Sequence, residues 1–172
     1  MHRLVTIALT LLLAIAVTPS HADDAISLFD GKTLKGWDGK KQFWSVEDGA
    51  ITGTTTPDNP TKGNTFIIYR GEDGKAEFGQ FELTLKYRIG KTGNSGVQYR
   101  SWETAPGSYV IGGYQADIDS GPTYSGINYG EKFRGILAKR GERTVIEENG
   151  KPKVVEKFAD GGKLNEVIKK EE

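Results

Sequence analysis

The chain has no cysteine, and its only two histidines, His2 and His21, lie near its N-terminus. Without thiols or downstream imidazoles, a Ser-His-Asp triad, a Cys-His dyad and the usual His or Cys zinc sites are excluded beyond residue 22. Catalysis there would have to come from Asp, Glu, Tyr, Lys or Arg, or from an oxygen-ligated metal. Charge of either sign is not in excess: 23 Lys and Arg face 23 Asp and Glu, for a formal net charge of zero. With no basic stripe, a nucleic-acid partner is not expected. Long apolar runs are also missing, except for Leu4–Val17.

That single run reads as part of a secretory signal over residues 1–22. Arg3 gives the positive start, Pro19 breaks the apolar stretch, and Ser20-His21-Ala22 resembles a cleavage site. The run is shorter than the roughly 20 apolar residues of a membrane span, so no stable membrane insertion is expected after cleavage. The expectation is export, to the periplasm or medium, of one domain spanning residues 23–172. That length supports a hydrophobic core, which must hold without disulfides.

The 23 glycines and the many Thr, Tyr and Phe favour strands and tight turns. Strands are predicted at Ile26–Phe29, Phe43–Glu47, Ala50–Thr54 and Thr65–Tyr69, with a hairpin turn at Asp48-Gly49. The clearest alternation is Phe81–Ile89, with Phe81, Leu83, Leu85, Tyr87 and Ile89 opposed to Glu82, Thr84, Lys86 and Arg88. Further strands are predicted at Asn94–Arg100, Tyr109–Asp119 (bulged around Gly112-Gly113), Phe133–Lys139, Arg143–Glu147 and Lys153–Lys157. Gly121–Gly130 reads as loop, Asn149-Gly150 as a hairpin turn, and Lys163–Lys170 as one short helix. The fold class is all-β, a sandwich or jelly roll.

Two of these strands concentrate polar chemistry. Side chains alternate with period 2, so Asn94, Gln98 and Arg100 share one face, as do Gln115, Asp117 and Asp119. Paired in one sheet, they would present amides, a guanidinium and two carboxylates, groups suited to holding a sugar. Trp102, read as part of a loop, and Tyr129 are candidates for contact with a sugar ring.

The run Leu28-Phe29-Asp30-Gly31-Lys32-Thr33-Leu34-Lys35-Gly36-Trp37 resembles the opening of the 3-keto-disaccharide hydrolase family. The resemblance continues through Trp44–Gly49, Phe81-Glu82-Leu83 and Tyr87-Arg88-Ile89. It is strongest at Asn94–Arg100, and it extends through Gly113–Asp119 to Gly126–Gly130. It implies a concanavalin-A-like jelly roll that is exported and cleaves 3-keto-glycosides by elimination across C1–C2 or by hydration of the resulting glycal. It also implies further strands beyond Glu172. The family commonly has Glu where this chain has Gln115 and Gln where it has Asp117, which shifts the carboxylate by two residues along one face.

A 3-keto group acidifies the C2 proton, so elimination needs a base, an enolate stabiliser and a proton for the leaving oxygen. Asp117 or Asp119 is the expected base, and Arg100 or Arg88 the enolate stabiliser. Asn94, Gln98 and Gln115 would hold hydroxyls, and Tyr114 or Tyr129 would pass a proton. A divalent metal on Asp117 and Asp119 is the alternative to the arginine. Two other functions compete: an ordinary glycoside hydrolase, and a non-catalytic lectin-like module on the same fold.

Overall fold

The computed structural model describes residues 25–158, and among these every regular element is a strand. The signal-like segment and the predicted helix at 163–170 lie outside the described residues. The strands are β1 (Trp37–Gly39), β2 (Trp44–Glu47), β3 (Ala50–Gly53), β4 (Ile67–Tyr69), β5 (Asn94–Glu103), β6 (Ile111–Asp119), β7 (Asn128–Glu131), β8 (Gly135–Ala138), β9 (Glu142–Ile146) and β10 (Pro152–Lys157). All pairings are antiparallel. β5-β6-β7-β8 form one four-stranded meander, while β1-β4, β2-β3 and β9-β10 form two-stranded ribbons. The all-β expectation holds.

Local chemistry explains the turns. Asp48 and Gly49 both have positive φ, at 48° and 73°, which matches the twist of the flanking β2 and β3. In the family-like opening, Asp30 Oδ1 accepts from the N–H groups of Lys32 and Thr33 at 2.8 and 2.7 Å. Its Oδ2 accepts from the Thr33 hydroxyl at 2.6 Å. The Thr33 hydroxyl, followed by these backbone donors, lowers the Asp30 pKa to about 2. Trp37 Nε1 donates to Leu28 O at 2.7 Å. The motif is thus a self-capped turn pinned by its tryptophan. Ile26–Phe29, predicted as a strand, pairs with no strand among the described residues.

A four-residue clamp ties the β1-β4 ribbon to the large sheet. The Arg70 guanidinium reaches Asp38 at 3.2 Å and Glu103 at 2.8 Å. Tyr109 donates its hydroxyl to Asp38 and its N–H to Glu103, both at 2.9 Å. These bonds hold Tyr109 at φ 53°, a left-handed conformation unusual for a bulky residue. Tyr69 extends the join, lying edge-on to Trp37 at 5.1 Å and stacking on Phe78 at 6.1 Å.

The deepest apolar side chains are Phe43, Ile111, Ile127 and Leu137. Phe81–Ile89 departs from its predicted state. The segment joins no regular element, and none of its backbone groups is paired among the described residues. Alternation by itself sets which side chains share a face; a ladder also needs a neighbouring strand.

Removing the clamp carboxylate leaves Arg70 with one partner. Glu103→Ala is expected to cost about 1–2 kcal/mol at pH 7, measured by urea unfolding. The Arg70 hydrogen bond, then the Tyr109 N–H, holds the Glu103 pKa below its ordinary 4.5. The stabilisation is therefore present at neutral pH and fades as pH falls below 4.5 through the lowered folded value. An unchanged urea midpoint across this range would refute the clamp.

Candidate functional site

The pairing of β5 with β6 builds the polar face. Their register sets Asn94 opposite Asp119, Gly96 opposite Asp117 and Gln98 opposite Gln115. Directly opposed residues project to the same side, so the predicted amides and carboxylates do converge. β7 adds to the row, because Tyr129 pairs with Gln115 and Glu131 with Gly113. Gly121–Gly130 was expected to be loop throughout, but β7 starts at Asn128 within it. Polar Asn128 and Glu131 masked the strand pattern.

A directional chain of hydrogen bonds runs along this face. Gln98 Nε2 donates to Gln115 Oε1 at 2.7 Å, and Gln115 Nε2 donates to Asp117 Oδ1 at 3.2 Å. Gly96 makes the arrangement fit: a Cβ there would lie 2.6 Å from Gln115 Cγ and Cδ. The Gln98 carbonyl oxygen is buried and has no hydrogen-bond partner among the described residues. Asp117 is itself buried, only 9% exposed. Desolvation raises its pKa above the ordinary 3.8, against the opposing hydrogen bond from Gln115.

Asp119 has a different environment. Its Oδ2 accepts from Asn94 at 3.2 Å, and its Oδ1 accepts from Gly121 N–H at 2.7 Å. Both bonds fix the exit of β6, which makes Asp119 the anchor of the following turn. Arg140 staples the same turn by donating to the carbonyls of Pro122 and Ser125. As a metal cradle the carboxylate pair is poor. Both Asp119 oxygens and one Asp117 oxygen are engaged, and no cluster of three or more acidic or His side chains forms among the described residues.

Arg100, expected beside Gln98, is displaced. The β5-β6 register shifts between Tyr99 and Trp102, and Arg100 takes φ 45°. This is a bulge at the expected place, but the extra residue is on β5, facing Gly113. A Cβ on Gly113 would meet Ser101 Cβ at 2.6 Å, so the glycine admits the bulge. Arg100 consequently borders the opposite, apolar side with Val97, Tyr99 and Ala116. Arg88 is also apart from the carboxylates, exposed on the unpaired segment 81–89.

The apolar side is lined with aromatics. Tyr99 stacks on Tyr114 at 5.6 Å, and Tyr114 meets Phe133 edge-on at 5.3 Å. Tyr114 therefore faces away from Asp117 and cannot pass it a proton. Trp102 belongs to β5 rather than a loop; its ring covers Gly112 and lies 6.0 Å from Phe133. Trp102 packs on this side, away from the carboxylates. An open cleft of about 500 Å³ lies here too, between Phe81, Leu83 and Leu85 and the sheet. The sequence pattern does not reveal Glu131, which is 8% exposed on the polar side and accepts from Asn64 at 3.1 Å.

These features define an all-β protein with a carboxylate and amides aligned on one sheet face. Residues 24–167 match the 3-keto-alpha-glucoside-1,2-lyase-like domain, and the chain belongs to that family. A relative from Bacteroides thetaiotaomicron, named 3-keto-disaccharide hydrolase, is 32% identical over 94 residues. The match covers 49% of this chain and 30% of the relative, so the chain spans well under two thirds of that protein. No solved structure matches the chain.

Burying Asp117 is a cost the fold bears when the carboxylate is charged. Asp117→Asn is expected to raise Tm at pH 7. A raised folded pKa means the native state binds the proton more tightly, so wild-type stability declines as pH rises from 3.8 through the folded value. The variant's advantage should vanish below that window. A lower Tm for Asp117→Asn at pH 7 would overturn the assignment of desolvation as the dominant influence.

Proposed function

We propose that this chain cleaves the glycosidic bond of 3-keto-glycosides, with Asp117 as the base. The observation that carries the reading is the family match together with a buried carboxylate aligned with two glutamines and a tyrosine. The name of the Bacteroides relative supports the substrate class.

Asp117 takes the proton from C2, and the C–H electrons form the C2–C3 enolate with charge on the C3 oxygen. The charge then returns to C3=O, the C1–C2 double bond forms and the C1–O bond breaks. The departing oxygen takes a proton. Water added across C1–C2 completes a net hydrolysis. Raised basicity suits Asp117 for the first step, since a carboxylate of ordinary pKa is a weak base toward carbon. With Arg100 and Arg88 elsewhere, Tyr129 is the donor on this face for the enolate or the leaving oxygen. Gln98 and Gln115 orient ring hydroxyls. The reading includes export, supported by the Arg3, Leu4–Val17 and Ser20-His21-Ala22 pattern. N-terminal sequencing of exported protein should begin at Asp23, and recovery with residues 1–22 attached would contradict it.

Aglycone release from 3-keto-glucosides and from matching unoxidised glucosides tests the activity. Release is expected only from the oxidised substrates. Asp117→Asn should lower kcat by about 10²–10⁴-fold, and Tyr129→Phe should lower it less. The acid limb of kcat/KM should sit above the ordinary carboxylate range. Binding without turnover, equal in wild type and Asp117→Asn, would favour the lectin-like module instead.

A further inference from the structure

Phe81–Ile89 has the anatomy of a strand without its ladder. Aromatic contacts seat its beginning: Phe81 lies 6.3 Å from Phe78, which stacks on Tyr69 of β4. Its end is seated by Ile89, whose Cγ1 would lie 2.4 Å from a Cβ on Gly93. Between these anchors the backbone forms no helix, turn or strand ladder, with no paired N–H or C=O among the described residues. Phe81, Leu83, Leu85 and Tyr87 are 50%, 43%, 47% and 57% exposed. Unpaired backbone beside exposed apolar side chains is a template for another strand.

We propose that this segment pairs antiparallel with the same segment of a second copy of the chain, centred on Leu85. The sequence is self-complementary in that register. Glu82 falls opposite the partner's Arg88, and Arg88 opposite the partner's Glu82. Phe81 meets Ile89, Leu83 meets Tyr87, and Leu85 meets itself. Every apolar side chain thus faces an apolar one on the same side, while opposite charges pair on the other. A two-fold axis through the Leu85 pair makes the contact isologous, so it closes at two copies rather than growing into a fibre. Sliding the register by one residue toward the N-terminus of either strand would set polar residues against apolar ones. Centring it on Thr84 would leave Ile89 facing Gly79. The apolar row of each copy remains turned toward its own cleft, where Phe81, Leu83 and Leu85 face Val97, Tyr99 and Ala116. Pairing therefore satisfies the backbone without removing these side chains from the sheet they already approach.

The absence of cysteine allows a direct test on the full chain. Leu85→Cys places two thiols across the axis, within the range a disulfide spans. Arg88→Cys places its two thiols about 20 Å apart by strand rise. Mild oxidation should give a covalent dimer with Leu85→Cys and not with Arg88→Cys. In sedimentation velocity, Glu82→Arg turns both ion pairs into like-charge pairs and should weaken dimerisation about tenfold. The double variant Glu82→Arg, Arg88→Glu restores opposite charges and should recover it. A wild-type chain monomeric at every concentration would overturn the proposal and assign the edge to another occupant. Crosslinking through Thr84→Cys in preference to Leu85→Cys, or failure of the double variant to rescue a folded single variant, would overturn it equally.

Discussion

The in-register pairing of β5 with β6 is the constraint on which the rest of this structure depends. It sets Gln98 beside Gln115 and Gly96 beside Asp117, and so turns separate polar residues into one continuous face. The same ladder sends Val97, Tyr99, Tyr114 and Ala116 to the other side, where aromatic packing holds the sheet. A slip of one residue would reverse both faces at once, burying amides among aromatics. Gly96 and Gly113 make the register sterically feasible. One leaves room for the Gln115 side chain, the other for the Arg100–Ser101 bulge.

The bulge divides the charges between the two sides. Below it, alternation is intact, and β5 delivers Asn94 to Asp119 and Gln98 to Gln115. Above it, Arg100 borders the apolar cleft and Glu103 joins the Arg70 clamp. Neither Arg100 nor Arg88 therefore stands in the row with Asp117, and in the proposed mechanism the donor to developing negative charge is the Tyr129 phenol. Asp117 and Asp119 diverge for a related reason. Although they share a face, Asp119 is consumed by the turn it caps, while Asp117 is enclosed and keeps an oxygen free of the amide chain.

Much of this was legible in the residues. Alternation located β5 and β6 and assigned Asn94, Gln98, Gln115, Asp117 and Asp119 to a common side, because period-2 geometry is local. Asp48-Gly49 and Asn149-Gly150 marked their hairpins for the same reason. What failed was non-local. Arg100 was misplaced because a bulge is decided jointly by two strands, and Gly113 on β6 signals it only once the pairing is known. Phe81–Ile89 carried the strongest strand pattern and yet forms no ladder among the described residues, since a pattern states which face is apolar and not which strand lies alongside. Trp102 gave no sign that its ring would settle over Gly112, because that pairing depends on the register after the bulge.

The two sides of the sheet place opposite demands on one thin layer of backbone. The proposed base, taking a proton from carbon, needs a carboxylate short of water, and such a carboxylate lowers stability whenever it is charged. Among the described residues few apolar side chains are deeply buried, so this part of the fold has little surplus from its core with which to offset that cost. The compensation must come from elements that keep the β5-β6 register from relaxing. The Arg70 clamp fixes one end of the pair and the Asp119 turn fixes the other. The site is thus held at its ends by charge-assisted hydrogen bonds rather than from beneath by bulk. Loosening either end would be felt first at the Gln98–Gln115 bond, which crosses from β5 to β6, and through Gln115 at Asp117, the carboxylate on which that chain of donors ends.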